Sequence, residues 1–252
     1  MGKTFTCAFC PAPIESGEHI WDDWFGRASR SNLFRFRVKG VDGTEKVWKS
    51  KSLNHKTKVV CAPCNNEWMS DLTNRTKSIA FDMGLSAKER KLDHRECSTI
   101  AAFGFMKAIV ADHSHDNRKP FFSYAERRSF RESLSIPAGV QIWLACLGTA
   151  KGLFKAYYTE TAFNEPQRIE INVFTYSLGH LCFQVATCRW KRKSHKKYRP
   201  PLFLTPDQSW NDVTVQCCPV IEPTIIWPPP AILGDQIVER FVHRFESLTR
   251  SF

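Results

Sequence analysis

The sequence predicts an α+β fold: a small cysteine-stapled module followed by a mixed antiparallel-sheet and helix domain. Three observations predict it. Four of the ten cysteines form two Cys-x-x-Cys knuckles, Cys7/Cys10 and Cys61/Cys64. A polar, charged and weakly periodic stretch, Gly84 to Asp93, then interrupts the chain. Beyond it, two helical patterns precede several strand-like runs joined by mostly short connections, which suggests an antiparallel meander. The expected division is residues 1–83, a linker over 84–95, and an α+β domain over 96–252.

The elements follow in order. Leu33 to Lys39 alternates apolar with basic residues, a turn signal follows at Gly40-Val41-Asp42-Gly43, and Lys46-Val47-Trp48-Lys49 resumes the strand pattern. That reads as a β-hairpin with one apolar and one cationic face. Trp68, Met69 and Leu72 are spaced as one face of a helix beginning near Asn65. A second helix is expected over about 97–112, with Lys107 at the edge of its apolar side. A third starts at Ser123, where Ser123-x-x-Glu126 forms a capping box. Strands are expected at Val140–Leu147, Leu153–Tyr158, Arg168–Tyr176 and Leu181–Arg189. Ile237, Phe241, Phe245 and Leu248 then mark a closing amphipathic helix.

Composition bounds the function. The chain has 252 residues, 42% hydrophobic and 24% charged, as an ordinary globular protein has. Its 13% aromatic content can fill a core, which excludes wholesale disorder. A mean hydropathy of −0.35 and the lack of an apolar run of about 18 residues argue against a membrane partner. Met1-Gly2-Lys3-Thr4-Phe5 has no apolar core of a secretory signal, so a reducing, cytoplasmic setting is expected. Gly2 with Thr6 formally fits a myristoylation pattern, a loose match. Thirty-six Lys and Arg against 25 Asp and Glu give a net charge of +11, which favours a polyanionic partner such as nucleic acid. Two basic tracts are the contact candidates. One is Arg35, Arg37 and Lys39 on the hairpin, and the other is Lys191, Arg192, Lys193, Lys196 and Lys197 within the run Arg189–Arg199. Either can equally be a solvated face.

In a reducing compartment, paired knuckles read as metal ligands rather than disulfides. Cys7, Cys10, Cys61 and Cys64 supply four thiolates, the closed tetrahedral set of a structural Zn²⁺. The other six cysteines lie in apolar or strand-like surroundings and read as small buried hydrophobes. His113 and His115 sit in a polar turn that is either a solvated loop or a second metal site.

Around the knuckles stand Glu18-His19-Ile20-Trp21 and Cys64-Asn65-Asn66-Glu67-Trp68-Met69. Here residues 5–80 resemble the HNH, or ββα-metal, endonucleases that carry a four-cysteine zinc site. The Cys64-Asn65 junction is similar to that of the phage junction-resolving endonucleases. The sequence departs from the family pattern in having Glu for the commoner Asp, no His after the second knuckle, and a long insertion between His19 and Cys61. Asn54 is the one match for the middle Asn of the motif.

The resemblance implies a metal-dependent nuclease that cuts nucleic acid, DNA ahead of RNA. His19 would be the general base. Glu18 and Asn65 would hold a catalytic Mg²⁺ or Mn²⁺, for which hard oxygen ligands suit. The alternative role of Glu18 is to orient His19, Asn65 can serve as a helix N-cap, and Asn66 is the backup ligand. His19 on its own reads as a packed histidine. The alternatives are a zinc ribbon that grips nucleic acid without cutting, and a zinc-stabilised subunit with a protein partner. Self-association is left open.

Overall fold

A computed structural model describes residues 6–29, 34–39, 45–51, 56–114, 120–149, 155–164, 167–190 and 201–245. After the first knuckle come strand β1 (Ser16–His19) and the short helix α1 (Asp23–Ala28). Strands β2 (Phe34–Lys39) and β3 (Glu45–Ser50) form the expected antiparallel hairpin. Its register pairs Arg35 with Lys49, Arg37 with Val47 and Lys39 with Glu45, so an acid and an apolar residue share the positions read as cationic. Strand β4 (Lys56–Val60) returns to pair antiparallel with β1. The second knuckle then opens a continuous helical rod: α2 (Ala62–Cys64), a wide π turn over Asn65–Met69, and α3 (Ser70–Ser86).

Residues 84–95 run from the last turn of α3, through Ala87 in the left-handed conformation (φ 51), into strand β5 (Arg90–Asp93). Asp93 then caps helix α4 (His94–His113), its side chain accepting from the Glu96 amide in a full capping box. Helix α5 (Tyr124–Ser133) carries the capping box expected at Ser123 and Glu126. Strands β6 (Val140–Cys146), β7 (Lys155–Asn164), β8 (Gln167–Leu178), β9 (Leu181–Trp190) and β10 (Thr214–Cys218) make one antiparallel sheet in the order β10-β6-β9-β8-β7. A last strand, β11 (Thr224–Trp227), pairs with β5.

The sheet departs from a simple meander at one place. β7, β8 and β9 are successive hairpins, but β6 lies on the far side of β9 and leaves β7 at the edge. Every residue of β6 is buried, so it takes an interior position with a strand on each side. The closing helix is also shorter than its periodicity suggests. Helix α6 spans Val238–Val242, and a turn then brings Phe245 onto Trp143, with ring centroids 5.3 Å apart. Leu248 and the basic residues Lys191–Arg199 lie outside the described residues, as do Asn54 and His115.

Helix α4 organises the molecule. Fourteen of its 20 residues are buried, the state of a helix that is apolar on all sides. It packs on β6, β8, β9 and β10 of the sheet and on α3, β4 and β5. Gly104 allows the close approach, since a Cβ there would lie 3.2 Å from the Phe183 ring. One hydrophobic cluster runs unbroken from the cysteine knuckles through α4 to Phe183 and Trp227. At its margin the β8–β9 turn presses on α3. The His180 amide donates to the Gly84 carbonyl at 2.9 Å. Gly179 (φ +61) has no room for a Cβ against that carbonyl.

Candidate functional site

Each knuckle is closed by its own backbone. The Cys7 amide donates to the Ala12 carbonyl at 2.8 Å, and the Asn65 amide donates to the Cys61 carbonyl at 3.1 Å. The Ala8 amide donates to the Val59 carbonyl at 2.8 Å, which zips the first knuckle onto β4. All four cysteines are buried, and their sulfurs lie within 4.8 Å of one another. The Cys10 sulfur is 3.5 Å from that of Cys61 and 3.8 Å from that of Cys64. Four sulfurs about 2.3 Å from one zinc would stand roughly 3.8 Å apart, so donor type and spacing both fit a tetrahedral zinc. The thiols are already unequal. A hydrogen bond from Cys64 pulls Cys7 down to about 4, and burial pushes Cys61 up. Among the described residues this is the one group of three or more His, Cys, Asp and Glu side chains that could hold a metal.

The ribbon of β1 and β4, followed at once by the helical rod, sets out the other candidates. His19 ends β1 opposite Lys56, and the two share a face of the ribbon. Gly17, two residues earlier on that face, lies under the Lys56 stem: a Cβ there would be 3.1 Å from the lysine Cβ. His19 is half-buried, and its Nδ1 has no hydrogen-bond partner among the described residues. Burial lowers its pKa, and the Lys56 charge and more weakly that of Lys107 lower it further against Glu18 and Asp23. A depressed imidazole pKa keeps the ring neutral at pH 7.

Asn65 opens the π turn, and its side-chain amide donates to Ser16 Oγ at 2.8 Å. It is thus anchored at the start of β1 while His19 stands at its end, roughly 10 Å of extended strand away. Asn66, the alternative ligand, is exposed. Glu18 does not face the same opening. Its carboxylate is buried and accepts from Lys107 Nζ on α4 at 2.7 Å. That ammonium also donates to the His19 carbonyl at 2.9 Å and to Asp22 Oδ1 at 3.2 Å. Burial raises the Asp22 carboxyl, against the pull of Lys107.

Sequence reading missed three residues that bind the two halves together. Lys107 was expected at the edge of its helix's apolar side, but the helix is buried all round there and the lysine lies inside. Asp22 carried no signal. Arg127 on α5 donates to the Ala8 carbonyl inside the first knuckle at 2.8 Å and contacts His113 Nε2. His113 therefore closes a packing contact, and its Nδ1 lies 3.0 Å from the Ile109 carbonyl. In the second basic tract, Arg189 is engaged within the fold, its guanidinium 3.5 Å from the Phe121 ring centroid and within 3.8 Å of Glu126.

The chain matches no family model, no curated protein and no solved structure in comparisons with known proteins. No described helix is long and apolar enough to cross a membrane.

Proposed function

We propose that the chain is a metal-dependent endonuclease, with DNA as its substrate, whose zinc is structural and whose general base is His19. One observation carries the reading. A four-thiol cluster clamps an antiparallel two-strand ribbon to the helical rod that follows it, with His19 at the end of the first strand and Asn65 in the first turn of the rod. This order of elements is what the resemblance to the ββα-metal nucleases implies, and binding alone does not call for a neutral histidine there.

The residues support a division of labour. His19, neutral near pH 7, can take a proton from the attacking water, a step worth roughly 10²–10⁴-fold. Lys56, exposed beside it, offers a cation to the phosphate. With its amide nitrogen on Ser16, Asn65 has its amide oxygen to offer a divalent ion. When bound, Mg²⁺ or Mn²⁺ would stabilise the leaving 3′ oxygen as a Lewis acid. Glu18 orients the end of β1 in this reading and is at most a secondary ligand, since Lys107 holds its Oε1.

That ion pair also favours a second reading. With Glu18 engaged, Asn65 is the remaining oxygen ligand of the expected pair, and a zinc-stapled module that grips nucleic acid without cutting needs no more. Incubating zinc-retaining protein with plasmid DNA and added Mg²⁺ or Mn²⁺ separates the two. Cleavage that falls by two to four orders of magnitude in His19→Ala, with zinc content and DNA affinity kept, is the expected result. Wild-type protein that binds DNA yet cuts neither plasmid nor RNA with either metal would establish the binding module instead.

A further inference from the structure

Lys107 is the one buried lysine among the described residues, its side chain 2% exposed. An ammonium removed from water survives only where its three protons all find acceptors and opposite charge lies close. Here the acceptors are Glu18 Oε1, the His19 carbonyl and Asp22 Oδ1, at 2.7, 2.9 and 3.2 Å. All three belong to the five-residue segment Glu18–Asp22, which contains the candidate base. The Phe103 ring lies beneath the ammonium, 5.4 Å from its centroid.

The surroundings exclude a direct part in chemistry. The adjoining void, lined by Ile20, Lys107, Val110, Ala111, Phe174 and Tyr176, measures about 10 Å³. That is room for at most one water and for no substrate group. The buried Tyr176 hydroxyl stands against Asp22 there, which fills the polar side of the void. Lys107 thus sits behind the β1 end, and the solvent-facing side of His19 is elsewhere.

We propose that Lys107 is a positioning residue: from α4 it pins the backbone of residues 18–22 and so sets where the His19 imidazole stands. The inference rests on the reading of His19 as the base. It makes the sheet-bearing half of the chain part of the site, because α4 is held in turn by β6, β8 and β9. No signal local to the nuclease-like third of the sequence points to this lysine.

Lys107→Met removes the ammonium and keeps most of the stem, and Val110→Ala, on the same buried helix, serves as a packing control. Lys107→Met should lower kcat for Mn²⁺-supported DNA cleavage about 10- to 100-fold, with KM within twofold and one zinc per chain retained. Amide exchange at residues 18–22 should quicken at least tenfold while that at 61–69 is unchanged. Val110→Ala should lower Tm but leave kcat within twofold. Should Lys107→Met not fold, ¹⁵N-lysine spectra of the wild-type protein and of Lys107→Gln carry the test. The wild type should show a slowly exchanging ammonium near neutral pH that Lys107→Gln lacks. Wild-type kcat and unaltered exchange at 18–22 in Lys107→Met, or no protected ammonium in the wild type, would overturn the proposal. If the wild type cuts no nucleic acid, the nuclease reading fails, and exchange at residues 18–22 alone decides whether Lys107 positions them.

Discussion

His113 illustrates how one side chain can couple folding to pH. Its Nδ1 lies against the Ile109 carbonyl and its Nε2 against the Arg127 guanidinium, a pairing that assigns the proton to Nδ1 and the lone pair to Nε2. A second proton on Nε2 would face Arg127 directly. Burial first, then Arg127, lowers the pKa, and the Ile109 carbonyl, Asp112 and Cys7 oppose them more weakly. A group whose folded pKa is depressed stabilises fully above its unfolded value, about 6.5, and loses that contribution as pH falls through the folded value. His19 is shifted in the same direction. Thermal melts should therefore show Tm falling from pH 7 towards pH 5. His113→Gln, which keeps a donor and an acceptor but cannot be protonated, should flatten that fall. An equally steep acid loss in His113→Gln would assign it to other groups.

Among the elements, the knuckles are the least able to stand alone. Neither β1 nor α2 exceeds four residues, and a two-stranded ribbon is marginal in water by itself. Metal binding and folding should then be one process, with Cys61 and Cys64 delivering the rod and Cys7 and Cys10 the ribbon. Elemental analysis should find one tightly bound zinc per chain. Chelation, or Cys61→Ser, should melt the segment from Thr6 to Met69, seen as loss of amide protection there. A zinc-free protein with full protection at Cys7–Cys10 would count against a structural metal. Helices α4 and α5 differ in kind, because each starts at a local capping box; that of α5, at Ser123 and Glu126, was legible in the sequence, and that of α4, at Asp93 and Glu96, went unread. The pairing of β6 with β9 was not legible, since neither strand's alternation specifies its neighbour.

Across the whole molecule, the aromatic side chains bind what the sequence reading divides. Phe9, between the first two cysteines, meets Trp68 edge-on with centroids 4.9 Å apart, and Trp68 meets Phe130 of α5 at 5.9 Å. Phe130 meets Phe105 of α4 at 4.9 Å, and Phe105 meets Phe122 at 5.0 Å. Such pairs add roughly 0.5–1.5 kcal/mol each beyond their burial. With Lys107 and Arg127, they tie residues on both sides of 84–95 into one core. Calorimetry on the zinc-loaded chain should accordingly show a single cooperative transition. The fragment 1–83, lacking α4 and α5, should expose Phe9 and Trp68 and bind a hydrophobic dye. Two well-separated transitions in the intact chain, or a dye-free and cooperatively melting fragment, would mean that the halves fold independently.

Neighbours along the chain encode the features that could be read before folding. Two thiols two residues apart can reach one ion from a single turn. A capping box spans three residues, and strand alternation has a period of two. The four-cysteine cluster, the helix start at Ser123 and most of the strands follow from those short spacings, whereas the first long helix, expected from about residue 97, starts three residues earlier on the Asp93 cap. The part played by Glu18 emerges from packing alone, because a buried carboxylate is defined by the charge it meets, and that charge lies 89 residues away on α4. The same holds for the place of β6 in its sheet and for the partners of His113. A buried ion pair must satisfy every donor and acceptor at once, and which groups arrive together is settled by how the elements pack.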